Sequence, residues 1–545
     1  MTGLSTGVVI VDEVQLNQDL NQDLYKYGKG YLLAGLHRFR WATSSLDRER
    51  SVPYQGAVNE PQCGRDPESY FGAGIGGGSG LFTAGGTSDT PRSPAPAAPS
   101  VATVTEPARE IPVHEETDVL VVGGGPAGTA AAVAARRLGQ RVTLVERYGD
   151  LGGLSAGGLV IWIDRMTDWE GTPVIAGIGA ELLDRLPEGA LAGPGPELWG
   201  STDPEQVAYW RERLSAFRET VCRSPMIDPE WLKITSHELL VGEGVRVLLH
   251  SWVVAAINEE GTVRGAIFES KQGRRAILAK VVVDATGDLD VVAQAGGTFV
   301  TDAEKDGTGG NVQHTINTAF TWTGVDMRRW LAFKRDNPAA HHALMNRGRE
   351  LLGFVDTPHV GWRDDVVVFM GPRLSGYSGL DVEHLSMVEL ESRRRMAAHL
   401  DFFRKEAPGF ENAWIMLAAP QIGVRMTRRL AGLHPMTSDD WKAGVRHRDE
   451  VGVSPSPSQN FPTISVPYRA LVPERLDGVV VGGRHVASDA ATQAFMREIP
   501  QCWMTGQAAG TAAGLAARTG LAPRALDVRE LRKELRRQGA FLHEL

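Results

Sequence analysis

A chain of 545 residues is longer than a single hydrophobic core usually supports, so we expect two or three folding units. Hydrophobic residues make up 42% and charged residues 23%, an ordinary globular composition, and the longest apolar runs are too short to cross a bilayer. The formal net charge is -9 with no long block of like charge, which argues against nucleic acid as a partner.

The cysteines indicate a reducing compartment. Cys63, Cys222 and Cys502 stand far apart and none belongs to a Cys-x-x-Cys pair, so the sequence predicts neither a cysteine-based zinc site nor a dithiol relay. We therefore expect no metal site. So few cysteines in a long chain, with no basic segment followed by an apolar run at the N-terminus, predict a cytoplasmic protein without membrane contact.

Residues 1–110 differ in composition from the rest of the chain. Aromatic and basic residues concentrate between Tyr25 and Trp41, and residues 72–100 consist largely of Gly, Ser, Thr, Pro and Ala. Such a composition cannot bury enough apolar surface to offset the entropy of ordering, so we predict a flexible N-terminal extension that ends in a linker. Residues 1–60 are a docking segment for a partner, a poorly ordered extension, or the product of a start codon placed too early.

Ordered structure is predicted to begin near Thr117. Asp118–Val122 has the pattern of a buried strand, Ala127–Leu138 that of an alanine-rich helix, and Arg141–Glu146 that of a second strand. This strand–helix–strand unit predicts an α/β fold. We expect a nucleotide-binding domain in three segments, interrupted by a helical region and by a substrate or cap domain. The nucleotide-binding segments are 111–160, 241–300 and 466–545, the helical region is 161–240 and the cap domain is 301–465.

A glycine fingerprint lies between the first strand and the first helix. In Gly123-x-Gly125-x-x-Gly128 the first glycine permits the tight turn, the second lets a pyrophosphate approach the backbone, and the third lets the helix pack on the sheet. Glu146 at the end of the second strand is placed to accept hydrogen bonds from an adenosine ribose. Because strand, helix, strand and acid all fall where this mechanism requires them, the fingerprint predicts dinucleotide binding.

Three further segments bear on which dinucleotide is bound. Leu151–Leu154 is a glycine loop, Val281–Asp288 is a strand that ends in a small-residue turn, and Val479–Arg484 is a strand followed by a second glycine turn. After the last of these, an Ala/Gly helix is predicted to begin near Pro500, because proline is tolerated in the first turn of a helix.

In these residues the chain resembles the FAD-dependent oxidoreductases of the fumarate-reductase and glutathione-reductase-like superfamily. The narrower resemblance is to the group with the turn Asp284-Ala-Thr-Gly-Asp288 and a C-terminal Gly-Arg…Gly-Gln-Ala-Ala-Gly-Thr-Ala-Ala segment. It covers roughly residues 117–520 and includes Gly376–Arg394 and Gln421–Gly432. The resemblance implies a Rossmann-like FAD-binding domain of the three-layer ββα type with an inserted α+β substrate domain.

The resemblance also implies which residues hold FAD. They are Gly123, Gly125, Gly128 and Glu146 at the ADP half; Arg147, Gly152, Gly153 and Leu154 at the diphosphate and ring; Val253, in a strand from Val247 to Ile257, at adenine; Ala285, Thr286 and Gly287 over the ADP portion; Gly483 and Arg484 at the ribityl chain and diphosphate; and Gln507 on the helix whose N-terminus faces the pyrimidine edge of the flavin. Relatives with covalent flavin carry a histidine in the loop at residues 153–158, which this chain lacks, so we expect non-covalent FAD. A second fingerprint for NAD(P)H is also missing.

Five side chains are candidates for catalysis beside the flavin. Arg425 lies in a cluster with Arg428 and Arg429, and guanidinium groups suit a substrate carboxylate. The histidines His314 and His434 have a pKa near neutrality and are candidate acid–base groups, while Tyr377 lies in a glycine-flanked loop. Arg497, just before the flavin-facing helix, is the strongest candidate for a side chain near the ring. An ordinary structural role is the alternative for each of the others.

These features predict an FAD-dependent dehydrogenase, reductase or oxidase that transfers a hydride or an electron pair between FAD and a small organic substrate, with an unidentified electron donor or acceptor. The Ala, Gly and Arg richness is typical of high-GC bacteria, in which flavoenzymes often serve secondary metabolism. A monooxygenase or halogenase is the nearest alternative, disfavoured by the lack of a Trp-x-Trp-x-Ile-Pro-like segment and of a Gly-Asp-Ala-Ala-His-like turn. The other alternative is a flavin-stabilised electron-transfer or scaffold subunit whose N-terminal segment docks a partner.

Overall fold

The structure, a computed structural model, describes residues 103–214, 217–301 and 316–544. Nearly all of them belong to the larger of two units, which contains residues 110–545. Residues 1–102 of the predicted N-terminal extension, which include the docking segment at residues 1–60, lie outside the described residues, and so does the candidate His314.

The described residues contain short and long strands in alternation with helices. The strands are β1 Val113–Val122, β2 Val142–Val145, β3 Leu191–Ala192, β4 Met226–Ile227, β5 Arg246–Leu248, β6 Trp252–Glu259, β7 Thr262–Ser270, β8 Gly273–Asp284, β9 Phe299–Thr301, β10 Ile316–Asn317, β11 Phe320–Thr323, β12 His359–Val360, β13 Val366–Phe369, β14 Arg373–Leu374, β15 Trp414–Ala418, β16 Arg428–Leu430, β17 Glu450–Ser454, β18 Ile464–Pro467 and β19 Val479–Val481. The helices are α1 Pro126–Arg137, α2 Ile178–Asp184, α3 Pro204–Arg213, α4 Pro229–Glu243, α5 Asp290–Gln294, α6 Met327–Asp336, α7 Pro338–Leu352, α8 Val382–Glu406, α9 Ser438–Lys442, α10 Ala490–Met496, α11 Ile499–Thr519 and α12 Val528–Arg537. Within this part of the chain, no helix combines the length and the apolar character that crossing a membrane requires.

The main sheet has a parallel centre in the order β5-β2-β1-β8-β19. Strand β8 belongs to both the parallel and the antiparallel part of the sheet. Its first half pairs antiparallel with β7, and its last residues pair parallel with β19. Residues Val119–Val122 of β1 are fully or almost fully buried, as expected for a central strand covered on both faces. The predicted α/β fold with a Rossmann-like domain is confirmed. The carboxyl ends of β1, β2, β8 and β19 meet at one edge, where open parallel sheets bind ligands.

Helices α1 and α11 pack on this sheet with their backbones in contact. A Cβ atom on Gly506 would lie 2.2 Å from the carbonyl oxygen of Ala127, and one on Gly510 would lie 2.1 Å from that of Ala131. Gly514 continues the same face of α11 one turn later, where a Cβ atom would meet Leu138 at 2.8 Å. The glycines at every fourth position therefore allow an approach that no larger residue permits.

This contact predicts opposite effects for two glycine-to-alanine substitutions. Gly510→Ala forces the two helices apart and is expected to destabilise the protein by about 1–3 kcal/mol and to reduce its flavin content. Gly242→Ala, in the exposed last turn of α4 with no heavy atom within 4 Å of the new methyl group, is expected to stabilise by about 0.5–1 kcal/mol. Thermal unfolding of both variants tests this, and a gain of stability in both would contradict the close contact.

A second domain is built on the antiparallel sheet β12-β13-β11-β15 and the helices α6, α7 and α8. Its core is aromatic, with Trp322, Phe369 and Phe403 among the fully buried side chains. His399 on α8 lies among these rings, and its Nε2 accepts a hydrogen bond from the backbone N–H of Asp356 at 3.3 Å. Burial lowers the pKa of His399 to about 3. This part of the chain combines an antiparallel sheet with helices, and its role as the substrate domain that the resemblance implies stays a prediction.

His399 is expected to make this domain sensitive to acid. The unfolded chain protonates the histidine below about pH 6.5, whereas the folded protein keeps it neutral down to about pH 3, so the unfolded state binds more protons and stability falls as pH drops through this window. At pH 4.5 the loss amounts to about 2–3 kcal/mol. His399→Phe is expected to lower stability at pH 7, because the Asp356 N–H loses its acceptor, and to show a smaller decrease in melting temperature between pH 7 and pH 4.5. His237→Gln on α4, outside this core, should keep the wild-type decrease. An equal decrease in His399→Phe would refute the assignment.

Candidate active site

A cavity of about 820 Å³, part of it open to solvent, lies at the carboxyl edge of the parallel strands. Three parts of the chain supply most of its lining. The first is the β1–α1 turn with the end of β2, the second is the turn after β8, and the third is the β19 turn with the start of α11. The strand ends therefore bring together segments that lie far apart in sequence.

The β1–α1 turn forms a cradle of bare backbone. Gly123 has φ = +101°, and a Cβ atom there would lie 2.5 Å from the carbonyl oxygen of Ala285. A Cβ atom on Gly128 would lie 1.7 Å from the Gly123 oxygen, and one on Gly153 would lie 2.8 Å from Cα of Gly125. Side chains are excluded at these positions, so the N-terminus of α1 and its amide groups face the cavity directly.

Glu146 is fixed at the end of β2 by two backbone amides. Its carboxylate oxygens accept hydrogen bonds from the N–H groups of Gly124 at 2.6 Å and Tyr148 at 2.8 Å. Burial raises the pKa of this carboxyl above its ordinary value, and the amide donors act in the opposite direction. Each oxygen keeps a further lone pair for a ligand hydroxyl. Arg147 and Trp252 form the rim beside it, with the guanidinium 5.9 Å from the indole ring.

The turn after β8 is held by its two aspartates. Asp284, fully buried, accepts hydrogen bonds from the N–H and hydroxyl of Thr286 and from the N–H of Val292. Asp288 forms a salt bridge with Arg484 at 2.8 Å. Although burial acts to raise it, the charge of Arg484 brings the pKa of Asp288 below its ordinary value. Arg484 lies directly over Gly287, where a Cβ atom would approach its Nη1 to 2.3 Å.

The far end of the cavity is lined by the start of α11. Arg497 and Ile499 face it, and Arg497 pairs with Glu498 at 2.8 Å. Glu498 is the N-cap residue of α11, yet its side chain makes no cap hydrogen bond, so the first amide groups of the helix remain unpaired by it. Arg425 lies close behind, where burial and the positive charges of Arg497 and Arg373 lower its pKa to about 9.

These residues fit FAD. The buried Nε atom of Arg484 has no hydrogen-bond partner among the described residues, and this side chain lines the cavity beside the glycine turns. Two long helices direct their N-termini into the same space, and the glycine cradle leaves room for a diphosphate against backbone. Unpaired cationic donors and helix N-termini are what a dianionic diphosphate requires.

Most of the predicted cofactor residues line this cavity, and three do not. Gly128 and Gly152 lie just behind it and shape the two glycine turns. The structure corrects the assignment of Gln507, whose amide accepts from the Ile178 N–H at 3.0 Å and donates to the Gln538 carbonyl at 3.1 Å. Gln507 lies two turns into α11 and on its far side, so it anchors α2 and the end of α12.

The predicted catalytic residues are separated by the fold. Arg497 lines the cavity and Arg425 is its neighbour. His434 lies elsewhere, beside Asp440 and His447. Tyr377 packs on a small apolar cluster, with its ring edge against His384. Neither residue is among those that line the cavity, so the structure gives their catalytic role no support.

The other two arginines of the predicted cluster hold two different loops, Arg428 the turn after β8 and Arg429 the loop after β19. Arg428 donates to the Asp288 carbonyl oxygen and to the carboxylate of Asp290, and Arg429 donates to the Ser488 carbonyl oxygen. Their positions on β16 point them toward neighbouring loops, so of this cluster only Arg425 adjoins the far end of the cavity.

The sequence prediction missed several residues of the cavity lining. The predicted strand from Val247 to Ile257 is in fact two strands, β5 and β6, separated by a turn at residues 249–251 in which His250 has φ = +53°. This turn brings Ser251 and Trp252 to the cavity. The remaining additions are Val122, Pro126, Ala127, Val145, Asp290, Gln421, Ile499 and Cys502. The sequence signal that could have identified Ser251 and Trp252 is the break in strand periodicity at residues 249–251.

The position of Glu146 predicts a defect confined to cofactor binding. Glu146→Ala removes a charged acceptor and is expected to weaken FAD affinity about ten- to hundredfold, since such a bond is worth about 1.5–3 kcal/mol. The absorbance spectrum of the remaining bound flavin should be unchanged. Fluorescence titration of the apoprotein with FAD measures the affinity, and Glu238→Ala on the exposed face of α4 is the control. An affinity within threefold of wild type would contradict the ribose role.

Parts of the chain are similar to proteins of known function. The chain is 55% identical over 49 residues to sarcosine oxidase subunit alpha from Corynebacterium sp. (strain P-1), covering 9% of this chain and 5% of that protein. It is 29% identical over 181 residues to digeranylgeranylglycerophospholipid reductase 2 from Methanopyrus kandleri, covering 32% of this chain and 38% of that protein. These matches span well under two thirds of the relatives' own lengths.

Among solved structures, a geranylgeranyl bacteriochlorophyll reductase-like protein from Thermoplasma acidophilum matches with a TM-score of 0.38 and 13% identity, covering 78% of this chain and 84% of that one. The family model for the FAD dependent oxidoreductases matches residues 118–535, most of the chain. The chain therefore belongs to the FAD-dependent oxidoreductase family, and its cofactor is FAD.

Proposed function

We propose that this enzyme oxidises or reduces a small organic acid, and that Arg425 and Arg497 bind the substrate carboxylate. The observation that carries the proposal is the excess of positive charge where α11 begins. The positive charges of Arg373 and Arg497 lower the pKa of Arg425 there. The nearby acid is Glu498, whose carboxyl interacts with the charges of all three arginines.

The electrostatics of the free protein favour an added anion at this place. Burial and the charges of two neighbouring arginines disfavour the charged form of Arg425, and its guanidinium makes no hydrogen bond or salt bridge within the described part of the chain. Arg497 uses part of its guanidinium for Glu498 and keeps Nε free. A carboxylate between the two side chains would neutralise the excess charge and accept from fixed, planar donors.

FAD, when bound, supplies the hydride or electron-pair chemistry. The protein's contribution is to orient and to stabilise charge. Glu498 holds Arg497 in place through their salt bridge, and Leu154 and Ile499 provide apolar wall on either side of the lining. Burial raises the pKa of Cys502 to about 12, so this lining residue stays a neutral thiol and does not act as a nucleophile.

The start of α11 adds a second source of positive potential. Its first amide groups carry no side-chain cap, and Ile499 and Cys502 of its first turn line the cavity. The N-terminal end of a helix stabilises negative charge, and the adjacent Arg497 acts in the same direction. Negative charge that develops during transfer is therefore stabilised by groups already in place.

The proposal predicts that the two arginines recognise the acid without holding the cofactor. Arg425→Gln and Arg497→Gln are expected to keep near wild-type FAD content and to weaken the binding of benzoate, followed by the perturbation of flavin absorbance, about ten- to hundredfold. Arg497→Gln should in addition slow reduction of the flavin by substrate. Benzamide, which has the same ring without the charge, should bind wild type and variants alike.

Arg335→Gln, at an exposed position on α6, is the matched control and should bind benzoate as the wild type does. Equal affinity of the wild type for benzoate and benzamide would refute a carboxylate site. Loss of FAD from Arg497→Gln with an unchanged rate per bound flavin would place that arginine on the cofactor instead of the substrate.

A further inference from the structure

A second cluster of ligand-type side chains lies outside the flavin cavity. The cluster consists of His434, in the loop after β16, Asp440, on α9, and His447, in the loop before β17. Each offers one ligand atom, and the three atoms lie within 4.8 Å of one another. His434 Nε2 and Asp440 Oδ2 are 3.9 Å apart, too far for a hydrogen bond. The two imidazole rings face each other edge to face, with centroids 5.2 Å apart.

Each ligand residue is held in place by a neighbour. The Thr437 hydroxyl donates to Asp440 Oδ2 at 2.7 Å. The backbone N–H of His447 donates to the Ser465 hydroxyl at 3.0 Å, and that of His434 donates to the Arg469 carbonyl oxygen at 3.3 Å. The bond from Thr437 orients the Asp440 carboxylate itself, and the other two bonds fix the backbone from which the imidazoles extend.

The cluster leaves one buried ligand atom without a hydrogen-bond partner. His434 Nε2 is buried and has no hydrogen-bond partner among the described residues, which is costly for a polar atom. A small cavity of about 200 Å³ opens beside Asp440 and His447, with Ser465 and Thr437 also in its wall. Part of this space is open to solvent, so water reaches Asp440 and His447.

We propose that His434, Asp440 and His447 bind one divalent transition-metal ion of the Zn²⁺ type, with water as the fourth ligand. Two imidazoles and one carboxylate suit Zn²⁺ and its neighbours in the first transition row and do not suit Mg²⁺, which prefers oxygen ligands. Tetrahedral donors around Zn²⁺ stand about 3.4 Å apart, so the gap between His434 and Asp440 closes by about 0.5 Å through side-chain rotation. This reverses the expectation, drawn from the cysteines, that the chain has no metal site.

The ion would tie the segment at residues 434–447 to the rest of the fold. Trp441 lies between the ligands in sequence, donates its indole N–H to the Thr492 hydroxyl at 3.0 Å, and packs its ring on Phe495. Both partners belong to α10. The ion's role is structural, and binding is expected to raise the melting temperature of the holoenzyme.

The experiment uses tag-free, FAD-loaded protein treated with a chelator and then dialysed. Calorimetric titration with Zn²⁺ is expected to give one ion per chain, and Co²⁺ is expected to give the visible absorption bands of a four-coordinate site. Titration with Mg²⁺ should show no binding. The metal-bound form should melt at a higher temperature than the stripped form.

Two matched substitutions in α9 distinguish a built site from an adventitious one. Asp440→Asn is expected to weaken Zn²⁺ binding by about a hundredfold or more, whereas Asp439→Asn, on the neighbouring exposed residue, should leave it unchanged. His447→Gln, in a separate segment, should act like Asp440→Asn, and flavin absorbance of each variant reports correct folding. Equal Zn²⁺ affinity of Asp439→Asn and Asp440→Asn, or clearly less than one ion per wild-type chain, would overturn the proposal.

Discussion

The backbone contact between α1 and α11 is the constraint on which the FAD site depends. Alanine would already be too large at Gly506 and Gly510, because its methyl group would reach the carbonyl oxygens of α1. Helix interiors lose about 1 kcal/mol for each glycine relative to alanine, so the close packing of the two helices has to offset this loss. Since α1 starts at the first glycine turn and α11 starts beside Arg497, the contact sets the distance between the two helix N-termini that line the cavity.

Acidic and basic side chains have different roles around the cavity. The carboxylates of Glu146, Asp284 and Asp288 are bound by backbone amides, a hydroxyl or Arg484, and they fix the loops that surround the cofactor. Arg484 and Arg497 keep unpaired Nε atoms at the lining. The carboxylates that fix the loops are therefore already bound by donors within the protein. The arginine Nε–H groups, which have no such partner, remain available to an anionic ligand. This is the electrostatic form that a site for a diphosphate and a carboxylate needs.

The sequence was sufficient wherever a local pattern determines the structure. The first strand–helix–strand unit, its glycine turn and the start of α11 at Ile499 follow from residue periodicity, positive φ at Gly123 and proline in the first helical turn. It was insufficient where the outcome depends on which side of an element faces the cavity. Gln507 lies about 12 Å along α11 from its first residue and on the far side, which no pattern of small residues reveals.

Long-range pairing explains the other differences between sequence and structure. Arg425, Arg428 and Arg429 lie close together in sequence, but they bind different parts of the fold. Arg428 and Arg429 belong to β16 and hydrogen-bond to neighbouring loops, whereas Arg425 precedes the strand and lies near Arg497. His434 belongs with Asp440 and His447 because α9 folds the chain back between them. Neither grouping has a spacing that identifies it before the fold is known.

The proposed metal ion and the proposed carboxylate site meet through one short helix. Asp489 caps α10 by accepting from the Thr492 N–H, and its second carboxylate oxygen accepts from the N–H of Ser438, which is the first residue of α9. Helix α10 ends at Met496, and Arg497 follows at once. A helix of so few turns has little stability of its own, so its position depends on what packs against it. A cluster that fixes α9 therefore also restricts where Arg497 lies, although the cluster has no contact with the flavin cavity. The proposed metal ligands and Arg497 are therefore connected through α9 and α10.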